Sequence, residues 1–189
     1  MDIEDVIYKR RTIRRFKQTP ITLETLRKLI DYARVAPMGN NIQSLEYLII
    51  NTQENREKIF PCLVWAGSLP PEERIPEEKR RPMAYIIVCV NTKIKKNANV
   101  EIGGAIENIL LGALNFGLGS CWMGAINRNK IREIFEIPNF YEISHVISLG
   151  VPDEESQLEI YNNSFKYWKK DNKMHVPKRS LDNIIIREI

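Results

Sequence analysis

Hydrophobic positions along the chain follow two periods, which predict two kinds of element. Apolar residues spaced by three and four predict a helix after Thr22, a suitable N-cap, and this helix must end before Pro37. The same spacing continues over residues 101–116, where almost every side is apolar, as is typical of a helix inside a core. Small residues within a helix are costly unless another surface packs against them, so we expect close packing there, including packing between subunits. The predicted packed positions are Leu23, Leu26, Leu29, Ile30 and Ala33 in the first helix, and Gly103, Gly104, Ala105, Gly112 and Ala113 in the second.

Short apolar runs bounded by turn residues predict the strands. The run over residues 84–90 is continuous, which indicates a strand covered on both faces, and we expect it to pair with a strand over residues 119–123. Gly117 is a suitable C-cap for the central helix that precedes this second strand. Further strands are predicted over residues 46–51 and 143–149. Further helices are predicted over residues 1–9, 54–63 and 128–135, the last capped by Asn127.

Two segments lack a clear period. Residues 61–82 are rich in charge and proline, which predicts a surface excursion. Residues 153–189 are polar and aromatic, and they end in three isoleucines, Ile184 to Ile186. A tail of this composition predicts a C-terminal strand or arm that needs another surface, such as a partner subunit.

Composition bounds the class of protein. A chain of 189 residues with 43% hydrophobic content fits one domain with a substantial core. The net charge of +4 is small and dispersed, which argues against binding to nucleic acid or to a membrane. The three cysteines lie in apolar surroundings without a paired spacing, and no hydrophobic signal region is present, so we expect reduced thiols and a cytoplasmic location. His145 fits a hydrogen-bonded core residue better than a metal ligand, because no histidine lies at metal spacing.

A dense basic run, residues 9–16, is the first chemical signal. In an extended backbone alternate side chains share a face, so Arg10, Thr12 and Arg14 could converge on one anion while Arg11 faces elsewhere. Arginine suits a phosphate because its planar fork bonds two oxygens at once. The alternative is a solvated basic helix end, a common surface feature.

Two loops have residues that could bind the edge of a flat polar ligand. Residues 37–43 carry amide side chains beside a predicted strand, although such a loop is often only a turn. Gly124 and Ala125 follow the strand over residues 119–123 and leave the backbone amides without bulk, so a ligand edge could approach them.

Four motifs together resemble the FMN-dependent nitroreductase family, in the same order and across nearly the whole chain. Residues 10–16, RRTIRRF, are similar to the family's basic R-R-S/T-I-R-x-F motif, and residues 36–43, APMGNNIQ, to its A-P-S-x-x-N-x-Q loop. The stretch over residues 101–124 resembles its D-x-G-x-A-x-Q-N helix and G-L-G-S-x-W-x-G strand. Residues 148–152 resemble its L-G-x-P ending.

The resemblance implies an α+β fold with a central, mainly antiparallel sheet flanked by helices. It also implies an intertwined homodimer with C-terminal arm exchange and FMN at the subunit interface. Family enzymes take hydride from NADH or NADPH onto the flavin and pass two electrons to a nitroaromatic, quinone or similar acceptor by a ping-pong mechanism. The flavin performs the hydride transfer, so no catalytic side chain and no metal are required.

The resemblance also assigns residues to the site. It places Arg10, Arg11, Thr12 and Arg14 at the phosphate and the pyrimidine side of the flavin, with Lys178 and Arg179 completing the phosphate site. It places Pro37, Met38 and Asn41 from the other subunit, and the backbone of Met123, Gly124 and Ala125 near the flavin N5 and O4. Trp65, in the excursion, is assigned to the acceptor pocket.

The chain departs from the family pattern at several positions. Met38 stands where serine is usual, Ser44 and Leu45 replace a proline and an aromatic residue, and Glu101 and Glu107 replace aspartate and glutamine. These departures leave other functions open, because a fold does not fix a function. One alternative is a flavin-binding or sensing dimer with little turnover, and another is a specialised relative such as a dehalogenase or a flavin-fragmenting oxygenase.

Overall fold

The structure, a computed structural model, describes residues 2–189 and is organised around a five-stranded antiparallel sheet. The strands follow the order β1-β5-β3-β2, and β4 also pairs with β5. This arrangement confirms the predicted central antiparallel sheet with flanking helices. The strands are β1 (Phe16–Lys17), β2 (Leu45–Ile50), β3 (Ala84–Asn91), β4 (Gly119–Met123) and β5 (Tyr141–Pro152).

Six α-helices accompany this sheet within residues 2–189. Thr22 caps α2 as predicted, because its hydroxyl oxygen accepts a hydrogen bond from the Thr25 amide at 3.1 Å. Asn127 caps α6 in the same way, accepting from the Lys130 amide at 3.0 Å. None of the helices within residues 2–189 has the length and apolar character that crossing a membrane requires. The helices are α1 (Ile3–Lys9), α2 (Leu23–Arg34), α3 (Gln53–Ile59), α4 (Pro71–Arg74), α5 (Asn99–Asn115) and α6 (Arg128–Ile134).

Two apolar clusters cover the two faces of the sheet. One joins α2 and α5 to side chains of β3 such as Ile86 and Val88. The other joins α3, α6 and residues 59–65 to the opposite side chains of β3, such as Tyr85 and Ile87. Side chains of β3 alternate between the clusters, which explains why the whole strand is apolar. All three cysteines are free and buried, as the sequence predicted.

The central helix α5 is closely packed at only some of its small residues. A Cβ atom at Gly112 would lie 2.4 Å from the Tyr32 ring, so α2 and α5 approach each other closely there. Gly103 and Gly104, by contrast, face no heavy atom within 4 Å. Gly117 has φ of +70° and ends the helix in the left-handed conformation predicted for its C-cap.

Three details differ from the sequence predictions. Strand β3 does not pair with β4, because β5 lies between them and pairs with both. Leu23 was predicted on the buried face of α2 but is exposed, since it occupies the first turn, beyond the edge of the sheet cluster. The helix predicted over residues 54–63 ends at Ile59 and gives way to a 3₁₀ turn, Phe60–Cys62, that contains Pro61.

The predicted C-terminal arm contains a second sheet that the sequence did not predict. Strand β8 (Lys173–Lys178) pairs in parallel with β6 (Glu155–Ile160) and antiparallel with β7 (Trp168–Lys170). Met174 of β8 packs with Ala66 and Leu69, so this sheet rests on the excursion of the same chain. Beyond it, residues 179–189 are exposed and form no strand.

Candidate cofactor site

The N-terminal basic segment lies directly beside β4. Thr12 forms a parallel bridge with Ser120, and the Ile13 amide donates to the Ser120 carbonyl at 2.9 Å. Ile13 is buried against Gly119, whose missing side chain makes room for it. The fold thereby brings two of the sequence motifs, residues 10–16 and the strand that follows α5, into one place.

Arg10 and Arg11 point in different directions. Nε of Arg10 lies 3.1 Å from a carboxylate oxygen of Glu107, on the middle of α5. The guanidinium of Arg11 folds back and donates to the carbonyls of Tyr8 at 2.7 Å and Arg10 at 2.5 Å. Burial, and to a lesser degree the charge of Arg10, lowers the pKa of Arg11. The divergence matches the alternation expected of an extended segment.

Arg14 lies between β4 and the C-terminal sheet. Its guanidinium carbon is 4.9 Å from the centre of the Tyr167 ring, in a cation–π arrangement. Burial raises the pKa of the Cys121 thiol on β4, and the nearby charge of Arg14 opposes this effect. Within residues 2–189 the Arg14 guanidinium forms no ion pair, so its charge is available to a ligand.

A buried ionic network under the basic segment is a feature that the sequence analysis missed. Glu154 accepts hydrogen bonds from the backbone amides of Arg14 at 2.6 Å and Arg15 at 3.3 Å. The guanidinium of Arg15, 2% exposed, lies 3.7 Å from Glu154 and 3.0 Å from Glu77, and it donates to the Glu73 carbonyl at 2.9 Å. The network ties the excursion to the basic segment, so it fixes the backbone from which Arg14 projects.

The end of β4 offers exposed backbone. Met123 is buried, whereas Gly124 and Ala125 are exposed. A Cβ atom at Gly124 would lie 3.2 Å from the His145 ring, which is tighter than ordinary contact, so this position favours glycine. His145 shares a hydrogen bond with the Ser144 hydroxyl at 2.7 Å, and burial followed by the charge of Arg128 lowers its pKa. The hydrogen bond agrees with the predicted hydrogen-bonded role of His145, whereas the ring is only partly buried.

Trp65 lies on the segment that pairs with the end of β4. The Val64 amide donates to the Ala125 carbonyl at 3.0 Å, and Leu63 bridges Ile126. The Trp65 ring is 4% exposed and stacks on Phe60 with the ring centres 5.3 Å apart. Within this chain the tryptophan is thus a core residue adjacent to the site, with no open ring face for an acceptor.

The loop over residues 37–41 contacts the N-terminal part of α5. Lys95 forms a short salt bridge with Glu101, and this bond together with the Gly39 amide lowers the pKa of the Glu101 carboxyl. Pro37 and Asn41 are exposed, while Met38 packs on the α2–α5 cluster. The loop leads into β2, which lies three strand spacings, or roughly 14 Å, from β4. Within residues 2–189, no backbone hydrogen bond or ion pair joins this loop to the basic segment of the same chain.

Lys178 and Arg179 lie at the end of the C-terminal sheet. Strand β7 pairs Trp168 with His175 of β8. Continued by one residue, this register places Tyr167 opposite a position two residues before Lys178. Tyr167 is the residue whose ring contacts Arg14. Lys178 is exposed, and the Arg179 guanidinium donates to the Asn183 carbonyl. Both residues thus lie near the end of this sheet at which Tyr167 lies, although within residues 2–189 no hydrogen bond or ion pair joins them to the basic segment.

The assembled groups suit a flat ligand that carries an anion. Arg10, Thr12 and Arg14 supply cationic and hydroxyl donors. Gly124 and Ala125 supply exposed backbone a few residues after Ser120, the residue that Thr12 bridges. No cluster of metal-binding side chains occurs within residues 2–189. This donor set fits a flavin mononucleotide, in which a phosphate and a polar ring edge occur together.

Comparison with known proteins identifies the family. A provisionally named NADH dehydrogenase/NAD(P)H nitroreductase of Archaeoglobus fulgidus is 30% identical over 161 residues, which cover 81% of this chain and 87% of that protein. A nitroreductase family protein of Clostridium novyi NT superimposes with a TM-score of 0.66 at 27% identity, over 80% of this chain and 87% of the other. An FMN-dependent nitroreductase of Clostridium difficile R20291 has a TM-score of 0.68 at 22% identity, over 90% and 99%. The nitroreductase family model matches residues 7–151, and the chain belongs to that family.

Proposed function

We propose that this protein is an NAD(P)H-dependent FMN oxidoreductase that reduces a nitroaromatic, a quinone or a similar acceptor by a ping-pong mechanism. The observation that carries the proposal is the bridge between Thr12 and Ser120, which sets the family's basic motif beside β4, the strand that precedes Gly124. Family membership and the name of the Archaeoglobus fulgidus relative support it. When bound, FMN supplies the chemistry of accepting hydride from a reduced nicotinamide and passing two electrons onward.

The residues of this chain bind and orient the cofactor. Arg10, Arg11, Thr12 and Arg14 would hold the phosphate and the pyrimidine side of the flavin, with Lys178 and Arg179 completing the phosphate site, and Arg11 would have to release its backbone carbonyls to take part. A fixed cation at the pyrimidine side stabilises negative charge that develops on reduction. The backbone of Met123, Gly124 and Ala125 would face the reactive edge of the flavin, and buried Trp65 supports the segment that pairs with the end of this strand.

We also propose that the working unit is a homodimer with exchanged C-terminal arms. The site needs Pro37, Met38 and Asn41, and the sheet order separates their loop from the basic segment of the same chain. Strand β2 pairs only with β3 among the described strands, which leaves one sheet edge open. Ile186 is fully exposed, and Gly103 and Gly104 on α5 face open space. Arm exchange and helix packing in a dimer would cover these surfaces.

The visible absorption spectrum of the purified protein tests the proposed function. We expect bound FMN, identified after release, and bleaching of its absorption on anaerobic titration with NADH or NADPH. Bound flavin that does not bleach would favour the sensing dimer. A protein that fails to bind FMN on reconstitution would contradict the assigned site.

Arg14 provides a direct test of the cofactor site. We expect Arg14→Ala to weaken FMN binding by about tenfold or more, since one charge-assisted hydrogen bond contributes roughly 1.5–3 kcal/mol. The measurement is the FMN dissociation constant from flavin fluorescence during titration of the apoprotein. Arg27→Ala, which removes an exposed arginine of α2, is the matched control. Equal affinities in the two variants would remove Arg14 from the site.

Removal of residues 178–189 tests the exchanged arm. We expect the truncated protein to dissociate at concentrations where the full chain is dimeric, and to retain less FMN, because it lacks Lys178, Arg179 and the exposed isoleucines. Light scattering gives the mass, and the ratio of flavin to protein absorption gives the occupancy. A truncated protein that remains a fully loaded dimer would exclude a role for the arm.

A further inference from the structure

A cavity of about 440 Å³ lies between α3 and residues 78–82. One wall is a single face of α3 with Gln53, Arg56 and Glu57, and the opposite wall includes Arg81. Buried Tyr85 of β3 forms part of its floor. None of these residues belongs to the proposed cofactor site.

The two arginines of this cavity have no carboxylate partner. Within residues 2–189, no carboxylate oxygen lies within 4 Å of a nitrogen of Arg56 or Arg81, whereas Arg15 and Arg80 nearby are both paired. Arg56 donates from Nη1 to the Pro82 carbonyl at 3.3 Å and to the Met83 sulfur at 3.1 Å. The Nε atoms of Arg56 and Arg81 are both buried and lack any acceptor. Both Nε atoms are enclosed by the protein, so the outer nitrogens of the two guanidinium groups are the atoms that a ligand in the cavity would contact.

The geometry holds Arg81 in place without consuming its hydrogen bonds. Its guanidinium carbon lies 4.1 Å from the centre of the Phe60 ring, and that ring also stacks on Trp65. Gln18 donates to the Arg81 carbonyl at 3.0 Å, which fixes the backbone. A planar cation held by an aromatic face keeps its edge free for an anion.

The other ionisable groups that line the cavity do not pair with the two arginines. Glu57 and Glu78 also line the cavity, but both are exposed at its rim. Glu57 instead accepts a hydrogen bond from Gln53 at 2.9 Å. Burial raises the pKa of Tyr85, partly opposed by Arg56 and Arg81, so the phenol stays protonated and adds a neutral donor.

We propose that this cavity is a binding site for a small organic oxyanion, a carboxylate or a phosphate ester, whose charged group bridges Arg56 and Arg81. Guanidinium forks recognise both kinds of anion with two oxygens at once. The volume lies in the range of small-molecule sites, roughly 300–1,000 Å³, and leaves room for an organic body beside the anionic group. The site is independent of the proposed flavin function.

Calorimetric titration tests the site with benzoate and with phenyl phosphate as probes. The protein is first saturated with FMN in a chloride buffer, so that the cofactor site does not bind the phosphate probe. We expect saturable binding of at least one probe, and the stronger probe distinguishes a carboxylate site from a phosphate site. If neither probe binds at millimolar concentrations, the proposal is overturned.

Variants assign the binding to the two arginines. Arg56→Gln and Arg81→Gln are each expected to weaken the bound probe by about tenfold or more, and Arg81→Lys to weaken it as well because the planar fork is lost. Lys79→Gln removes an exposed charge beside the cavity without lining it, and it should leave binding unchanged. Circular dichroism checks folding, and Arg56→Gln and Arg81→Lys decide the result if Arg81→Gln unfolds. Equal weakening by Lys79→Gln and by the arginine variants would show general charge attraction and would reject the site.

Discussion

The Glu154→Ala variant is expected to lose about 3–5 kcal/mol of unfolding free energy, the typical cost of breaking a buried ion pair from one side. The Glu154 side chain is 1% exposed, and its carboxylate faces both the guanidinium and the backbone amide of Arg15. Its removal also leaves the Arg14 amide without its 2.6 Å acceptor. Glu77 still contacts Arg15, but its side chain is 58% exposed and its carboxylate bonds only Nε of the guanidinium. Denaturant unfolding followed by circular dichroism measures the loss.

Two matched variants separate burial from charge. Glu155→Ala removes the neighbouring carboxylate, which is 76% exposed and pairs with Lys173 at 2.9 Å, so we expect a loss within about 1 kcal/mol. Glu154→Gln keeps an oxygen that can accept from the two amides but loses the charge, so its cost should lie between the other two. If Glu154→Ala and Glu155→Ala unfold at the same denaturant concentration, the network does not stabilise the fold.

The Glu154→Ala variant is also expected to affect the cofactor site. Glu154 contacts no group assigned to the ligand, yet it fixes the backbone on either side of the Arg14 carbonyl. It is therefore a positioning residue, and we expect FMN to bind more weakly to folded Glu154→Ala than to Glu155→Ala.

Local patterns were sufficient to predict the elements that build the core. The three-and-four spacing and a capping threonine predicted α2. The helix ends at Arg34, before Pro37, as predicted. An unbroken apolar run predicted β3 because both faces of that strand are covered by clusters. Gly117 was predicted correctly because a left-handed C-cap is a local requirement that glycine meets at little cost. In each case the structure depends on neighbours in sequence.

Pairing between distant segments was not predictable in this way. Strand β4 carries the same apolar character whether it pairs with β3 or with β5, so its composition does not identify its partner. The sheet formed by β6, β7 and β8 consists of half-exposed strands, because one face packs only on residues 66–69. Such strands have a weak alternating pattern, and their order depends on tertiary contacts.

The buried arginine had a signal that the sequence analysis did not use. In an extended segment Arg15 shares a face with Ile13, and an isoleucine beside a core strand is expected to be buried. That alternation predicts Arg15 inside the protein and therefore a buried acidic partner. It does not identify Glu154, which lies 139 positions away along the chain. Arg10, Thr12 and Arg14 were assigned by resemblance and by alternation, and their roles at a ligand remain predictions.

Gly119→Ala is expected to displace the basic segment from β4. A Cβ atom at this position would lie 2.8 Å from Cβ of Ile13 and 2.9 Å from its Cγ1, closer than real contacts allow. Ile13 is buried, and its amide is bonded to the Ser120 carbonyl, so the clash must move the backbone that carries Thr12 and Arg14. Overpacking of this kind typically costs about 1–3 kcal/mol. We therefore expect lower stability and weaker FMN binding in the same variant.

The comparison with Gly67→Ala makes this expectation specific. A Cβ atom at Gly67 meets no heavy atom within 4 Å, so that variant should match the parent protein in unfolding free energy and in FMN affinity. In a double-mutant cycle, Ile13→Ala removes the Cγ1 and Cγ2 contacts at 2.9 and 3.0 Å but keeps the Cβ contact at 2.8 Å, so Gly119→Ala should then cost less than in the parent background without becoming neutral. The two costs would simply add if the glycine had no steric role. Additivity, together with unchanged FMN affinity in Gly119→Ala, would mean that close packing of the basic segment on β4 does not position the arginines.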